Sequence, residues 1–147
     1  MPSDDPVPRN PSYEAKVRAI VDKAAFIGHL GIALGALRPG WCETTLEVEP
    51  RHLQQNGYLH AGVLATMGDH TAGAAAGTLV GADEGVLTVE FKINLLRPAK
   101  GDRIVCRAQV LRPGRTLSVV ESELFDDGGR LVAKMTVTLA VVPDTMV

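Results

Sequence analysis

Apolar residues Val17, Ile20, Val21 and Ala24 fall at helical spacing, with Arg18, Asp22 and Lys23 off their stripe, so residues 12–28 read as an amphipathic helix. Ser12 stands in the N-cap position, and Gly28 and Gly31 are candidate stops. Residues 31–37 and 41–48 follow as two short strands around Arg38, Pro39 and Gly40, a turn sequence. Residues 49–59 carry Pro, Gly, Gln and Asn without a period and are expected to form a loop.

The stretch 60–79 differs from everything around it. It is apolar or small on every side, rich in Ala and too long for one strand, and a helix apolar all round is a buried helix. Each of its glycines costs roughly 1 kcal/mol of helix propensity against Ala. That calls for close approach of another backbone, from a sheet or from a second copy of the helix. Beyond it the period becomes two. Val89, Phe91, Ile93 and Leu95 oppose Thr88, Glu90, Lys92 and Asn94 in a strand at 87–97, and further strands are expected at 103–112, 116–125 and 130–142. Short turns between long strands imply antiparallel neighbours in a meander. The expected fold is α+β: an antiparallel sheet of about six strands wrapped around one long central helix, plus an N-terminal helix.

The length, 147 residues, suits a single domain at 12–147 behind a flexible, Pro-rich tail at 1–11. Hydrophobic residues make up 46% of the chain but aromatics 4%, so the core must be aliphatic. A net charge of −2 gives no basic field for nucleic acid, and no such partner is expected. No uncharged apolar run reaches the roughly 18 residues of a membrane span, and the start lacks the pattern of a secretory signal. Cys42 and Cys106 lie far apart in strand-like context. They read as buried free thiols of a reducing cytoplasm, with a disulfide as the alternative.

The buried helix carries one carboxylate, Asp69, beside one imidazole, His70. A carboxylate there is costly without partners, so Asp69 either pairs with a donor, reaches solvent, or does chemistry. His60, Ala61 and Gly62 open the helix, where free backbone N–H groups form a preformed site for negative charge and for a developing oxyanion. His60 is equally suited to capping the helix. Nine residues separate His60 from Asp69, which puts them about 180° apart around the axis and about 13 Å apart along it. They cannot meet on one chain. If both serve one site, a second helix running antiparallel must complete it, as in a two-fold dimer. His70, about 100° round from Asp69, is expected to be a packing or interface residue. His29 and His52 are isolated, and no pair of His, Cys or carboxylates has metal-ligand spacing, so no metal is expected.

The layout of His60-Ala61-Gly62 at the helix mouth, Asp69 nine residues later, and the strand Val86-Leu87-Thr88-Val89-Glu90-Phe91 beyond it resembles the hot-dog-fold acyl-CoA thioesterases, most nearly their phenylacetate-pathway (PaaI-like) branch. The likeness spans residues 38–142. It implies hydrolysis of an acyl- or aryl-acyl-CoA to free acid and CoA, with no cofactor, since CoA is part of the substrate. Residue by residue, it implies Asp69 as nucleophile or general base, the Ala61 N–H as oxyanion hole, and Thr88 as hydroxyl partner of the carboxylate or its water. His60 and Gln54 would position the carbonyl. Gln54 stands where the family has Asn, and Ala61 where it has Gly, a change without effect if φ there is negative. Gly62, Asn56, Arg97, Arg112 and Arg115 are the residues expected to hold the substrate, the arginines through the CoA phosphates. The resemblance further implies a cytoplasmic homodimer at minimum, with a homotetramer expected. Two other readings stand beside it: a hot-dog enoyl- or hydroxyacyl-CoA hydratase or dehydratase, and a non-catalytic acyl-CoA-binding domain.

Overall fold

A computed structural model describes residues 5–147. Two short helices, α1 (Tyr13–Asp22) and α2 (Ala25–Leu30), precede β1 (Ile32–Arg38) and β2 (Trp41–Glu47). The long helix α3 (Ala61–Gly77) follows, and then β3 (Glu84–Leu95), β4 (Arg103–Pro113), β5 (Leu117–Asp126) and β6 (Leu131–Pro143). The six strands form one antiparallel sheet in the order β1-β2-β4-β5-β6-β3, with α3 packed across one face.

The structure refines several of these expectations. The single N-terminal helix is two, because the chain turns at Lys23 and Ala24. The stop is Gly31, whose φ of 80° gives the left-handed cap that ends α2, and Gly28 lies within that helix. Ser12 takes the cap position of α1 without a side-chain cap bond, its amide donating to Asn10 Oδ1 at 3.0 Å. Residues 1–4 of the expected tail lie outside the described residues, but Arg9 pairs with Glu84 and Asn10 is buried, so the segment from Arg9 is docked. Lastly, β3 and β4 are not hairpin neighbours. β3 pairs with β6 at the sheet edge, and β4 pairs with β2 and β5. The connection must pass two strands, about 14 Å at the usual spacing. Residues 96–102 reach up to about 23 Å, so the crossing is unstrained. It is held on the way: Leu59 N–H donates to the carbonyl of buried Ala99 at 3.0 Å.

The core is aliphatic, built from Leu46, Ile104, Val120, Leu124, Val137 and Leu139 around Met67 and Ala72 to Ala76. A helix so smooth has little to fix its rotation, and buried polar contacts supply it. Ser122 Oγ donates to Gly68 O at 2.8 Å, and Thr71 donates to Met67 O at 2.6 Å. Thr71 has then spent its proton, so Thr44 is the donor in the buried 2.7 Å pair between them. Within the chain the α3 glycines meet side chains and not the backbone of the sheet. A Cβ on Gly68 would lie 2.6 Å from Met135 Sδ. Cys42 and Cys106 are free and buried, and burial pushes both thiols up to about 12, which leaves them protonated and inert.

β3 carries a bulge. Thr88 pairs with Leu139 and Glu90 with Thr138, which leaves Val89 as one extra residue. Side-chain parity inverts there. Before the bulge Val86 and Thr88 face the helix side, and after it Ile93 packs on the core.

The β5–β6 turn is closed by buried Asp126. Its carboxylate accepts the Arg130 and Gly128 amides at 2.9 and 3.0 Å and pairs with the Arg130 guanidinium at 2.8 Å. These donors, the Arg130 amide foremost, hold the carboxyl below its usual range although burial opposes them. A depressed carboxylate adds stability above its unfolded value of about 3.9 and loses it as pH falls through the folded value. The melting temperature is therefore expected to drop below about pH 4. Asp126→Asn, already weakened at neutral pH, should show a flatter fall by scanning calorimetry. Parallel curves would remove Asp126 from the acid response.

Candidate active site

The mouth of α3 is suspended from His52. This buried ring accepts the Glu49 amide at Nδ1, 2.9 Å, and so donates from Nε2 to the carbonyl of Leu30 at 2.7 Å. Its own carbonyl takes the His60 amide at 2.9 Å. Read from sequence as isolated, His52 joins α2 to the start of α3. No local pattern signals this, because its partner Leu30 lies 22 residues away.

His60 caps α3: its Nδ1 accepts the Gly62 amide at 2.8 Å. That bond fixes the tautomer, with the proton on Nε2 and free to donate outward. The Val63 and Leu64 amides turn to His60 O. Among the described residues, the Ala61 N–H is then the first-turn donor without an acceptor, at the positive end of the helix dipole. Ala61 has negative φ, so the exchange from Gly does not strain the chain. Gln54 Oε1 accepts the Asn56 amide, which leaves the Gln54 NH2 as a donor. Gln54, His60, Ala61 and Arg97 line one pocket of about 500 Å³, closed on its apolar side by Leu64, Leu95 and Leu96. Arg97 is oriented there by its bond to Leu131 O at 2.7 Å. Asn56 and Gly62 lie beside this mouth, exposed.

Asp69 lies elsewhere. Thr88 Oγ1 donates to Asp69 Oδ1 at 2.7 Å across the gap between β3 and α3. The alternating pattern of β3 sets Thr88 on the face opposite Ile93, and the bulge re-aims it at the helix. Both residues line a second pocket, of about 280 Å³, between α1, α3 and β3. The two pockets share no lining residue. Asp69 Oδ2 has no hydrogen bond among the described residues, so one carboxylate oxygen is anchored and the other is available.

The cations expected to hold phosphates are dispersed. Arg130, a further cation at a turn of the meander, is committed to Asp126. Arg115 borders a cleft with Arg9, Leu79 and Val80, past the C-terminal end of α3, and Arg112 lies on the same β4–β5 hairpin. Arg97 is at the opposite end, about 25 Å away along α3 by its rise per residue. What sequence reading missed is the contribution of α1 to the Asp69 pocket, through Lys16, Val17 and Ile20, and the presence there of His70. The apolar stripe of α1 was visible, but not what it covers.

A family model described as the thioesterase superfamily matches residues 56–133. The crystal structure of a thioesterase family protein from Silicibacter pomeroyi superimposes with a TM-score of 0.86 at 40% identity, over 89% of this chain and 98% of that one. Acyl-coenzyme A thioesterase 13 of Pongo abelii is 32% identical over 128 residues, 84% of this chain and 89% of the relative. The E. coli PaaI protein from the phenylacetic acid degradation operon superimposes with a TM-score of 0.83 at 21% identity, over 91% and 96% of the two chains, a likeness of fold.

Proposed function

The chain belongs to the thioesterase superfamily and is a thioester hydrolase of hot-dog fold, and on that premise we propose that it hydrolyses acyl- or aryl-acyl-CoA at sites shared between two copies. The observation that carries the reading is the division of the machinery. An anchored carboxylate sits on one side of α3, and a free amide with two side-chain donors sits at its mouth, in pockets that have no residue in common.

A two-fold axis that runs two α3 helices antiparallel brings Asp69 of one copy to the Ala61 mouth of the other. The sheet supports this arrangement. β3 is an edge strand whose Leu87, Val89 and Phe91 are about half exposed, an apolar edge of the kind that pairs with another strand. The same axis brings the Arg112 and Arg115 end of one copy to the Arg97 end of the other, so cations dispersed on one chain gather around one CoA.

In this reading the thioester oxygen lies on the Ala61 N–H, with His60 Nε2–H and the Gln54 amide beside it. Asp69 Oδ2 either attacks the carbonyl carbon or takes a proton from the attacking water, while Thr88 holds Oδ1. The tetrahedral oxyanion collapses, the C–S bond breaks, and the thiolate of CoA leaves and is protonated. In the direct route water then hydrolyses the acyl-aspartyl anhydride. The test is a thiol-release assay with a panel of acyl-CoAs of graded length, half of them aromatic. Release from at least one class is expected, and no release from any would overturn the proposal.

A further inference from the structure

Gln54, His60 and Ala61, the three proposed donors, hang on one small hairpin. His60 N–H donates to His52 O at 2.9 Å and Gln54 N–H to Tyr58 O at 2.8 Å, with Leu53 bridged to Leu59 between them. Gly57, at φ 81°, makes the turn. A two-stranded hairpin is marginal by itself in water, so its aim depends on what holds its base. On one arm Leu59 N–H donates to Ala99 O at 3.0 Å. On the other, the buried His52 ring donates from Nε2 to Leu30 O at 2.7 Å.

The second of these bonds completes the end of α2. The last four carbonyls of a helix have no partner within it. In α2 the Gly31 amide takes those of Ile27 and Gly28, Arg51 takes that of His29, and His52 takes that of Leu30. The helical turn at Pro50–His52 is thereby clipped onto α2. The two ring nitrogens do different work. Nδ1 accepts the Glu49 amide three residues back, which caps the turn. Nε2 reaches a carbonyl 22 residues away, which a cap does not require.

Resting on the proposed thioesterase activity, we infer that His52 is a positioning residue, whose Nε2 bond to α2 aims Gln54, His60 and Ala61 together at the thioester oxygen. His52 does not line the mouth pocket, so it acts through these three. Without its Nε2 bond the hairpin keeps the Leu59 contact and swings about it. A misplacement of about 1 Å in a catalytic group costs up to about 10²-fold in rate. Donors that act on the oxyanion lose their effect in kcat and leave KM nearly unchanged.

Three variants separate aim from scaffolding. His52→Gln reaches Leu30 O but gives up the Glu49 amide, His52→Asn accepts the Glu49 amide but falls short of Leu30, and His52→Leu does neither. Thiol release is followed over a panel of acyl-CoAs that includes octanoyl-CoA and phenylacetyl-CoA, well below the melting temperature of each variant. His52→Asn and His52→Leu should lose roughly ten- to a hundredfold in kcat, with KM within about threefold, while His52→Gln stays within a few-fold of the wild type. If the leucine variant does not fold, the contrast between Asn and Gln gives the answer. Equal kcat in those two variants, or a loss that appears in KM, overturns this inference and leaves the thioesterase reading standing. No release from any acyl-CoA by the wild type overturns both.

Discussion

Asp69→Asn lowers kcat for thiol release by roughly 10²–10⁴-fold, the usual worth of a positioned general base or more. The substitution is close to isosteric, and its amide oxygen still accepts the proton of Thr88 Oγ1, so the bond that ties β3 to α3 survives. What is lost is the capacity to take a proton or to form an acyl-oxygen bond. Thermal unfolding should therefore shift by no more than a few degrees, as for a substitution that leaves packing intact. Activity within a few-fold of wild type, with the fold preserved, would remove Asp69 from the chemistry. In a single-turnover reaction in heavy-oxygen water, an unlabelled Asp69 oxygen in the first molecule of product demonstrates direct attack with the anhydride opened at the Asp69 carboxyl carbon, whereas base catalysis, like opening at the acyl carbon, puts solvent oxygen there.

Ala61→Pro is expected to lower kcat by roughly 10²–10³-fold, the loss of one oxyanion donor. Ala61 is the first residue of α3, where proline is best tolerated because the N–H has no helical partner. His60 before it already has φ −64° and ψ 136°, the conformation that a residue preceding proline prefers. The variant removes one hydrogen atom from the proposed site and almost nothing from the fold. Mixing subunits of Ala61→Pro with subunits of Asp69→Asn then tests sharing directly. In random mixed dimers, one site of each hybrid takes both of its halves from wild-type sequence. Two nearly inactive proteins should regain about a quarter of wild-type activity on exchange. No recovery, with hybrids demonstrated by native mass spectrometry, would place each site within one chain.

Much of this molecule could be read before its structure. The small-residue helix, the strands and the half-turn between His60 and Asp69 follow from periodicity and helix geometry. What was not legible depends on contacts distant in sequence. Nothing near residues 98–102 indicates that this short segment crosses two strands in place of turning back, because β6, the partner that takes β3, lies 36 residues or more further on. His52 has no signature, since its acceptor belongs to α2. Arg97 and Arg115 look alike in a list of basic turn residues, and only the direction of α3 sets them at opposite ends. Thr88 is the sharpest case. Its neighbours alternate regularly and assign it to the other face, and an extra residue that no periodicity reveals reverses the assignment.

That extra residue is, in genetic terms, one codon. Deleting Val89 would leave every proposed site residue encoded and restore an uninterrupted ladder, with Thr88 still opposite Leu139 and Glu90 still opposite Thr138, so Thr88 keeps the helix face and its bond to Asp69. Substitution scans pass over such a position, because no side chain there takes part in the chemistry. For this strand, gaps are as informative as letters. A homologue that keeps Asp69 and Thr88 but lacks one residue at position 89 holds the same hydrogen bond on a regular strand, and there simple alternation assigns Thr88 to the helix face.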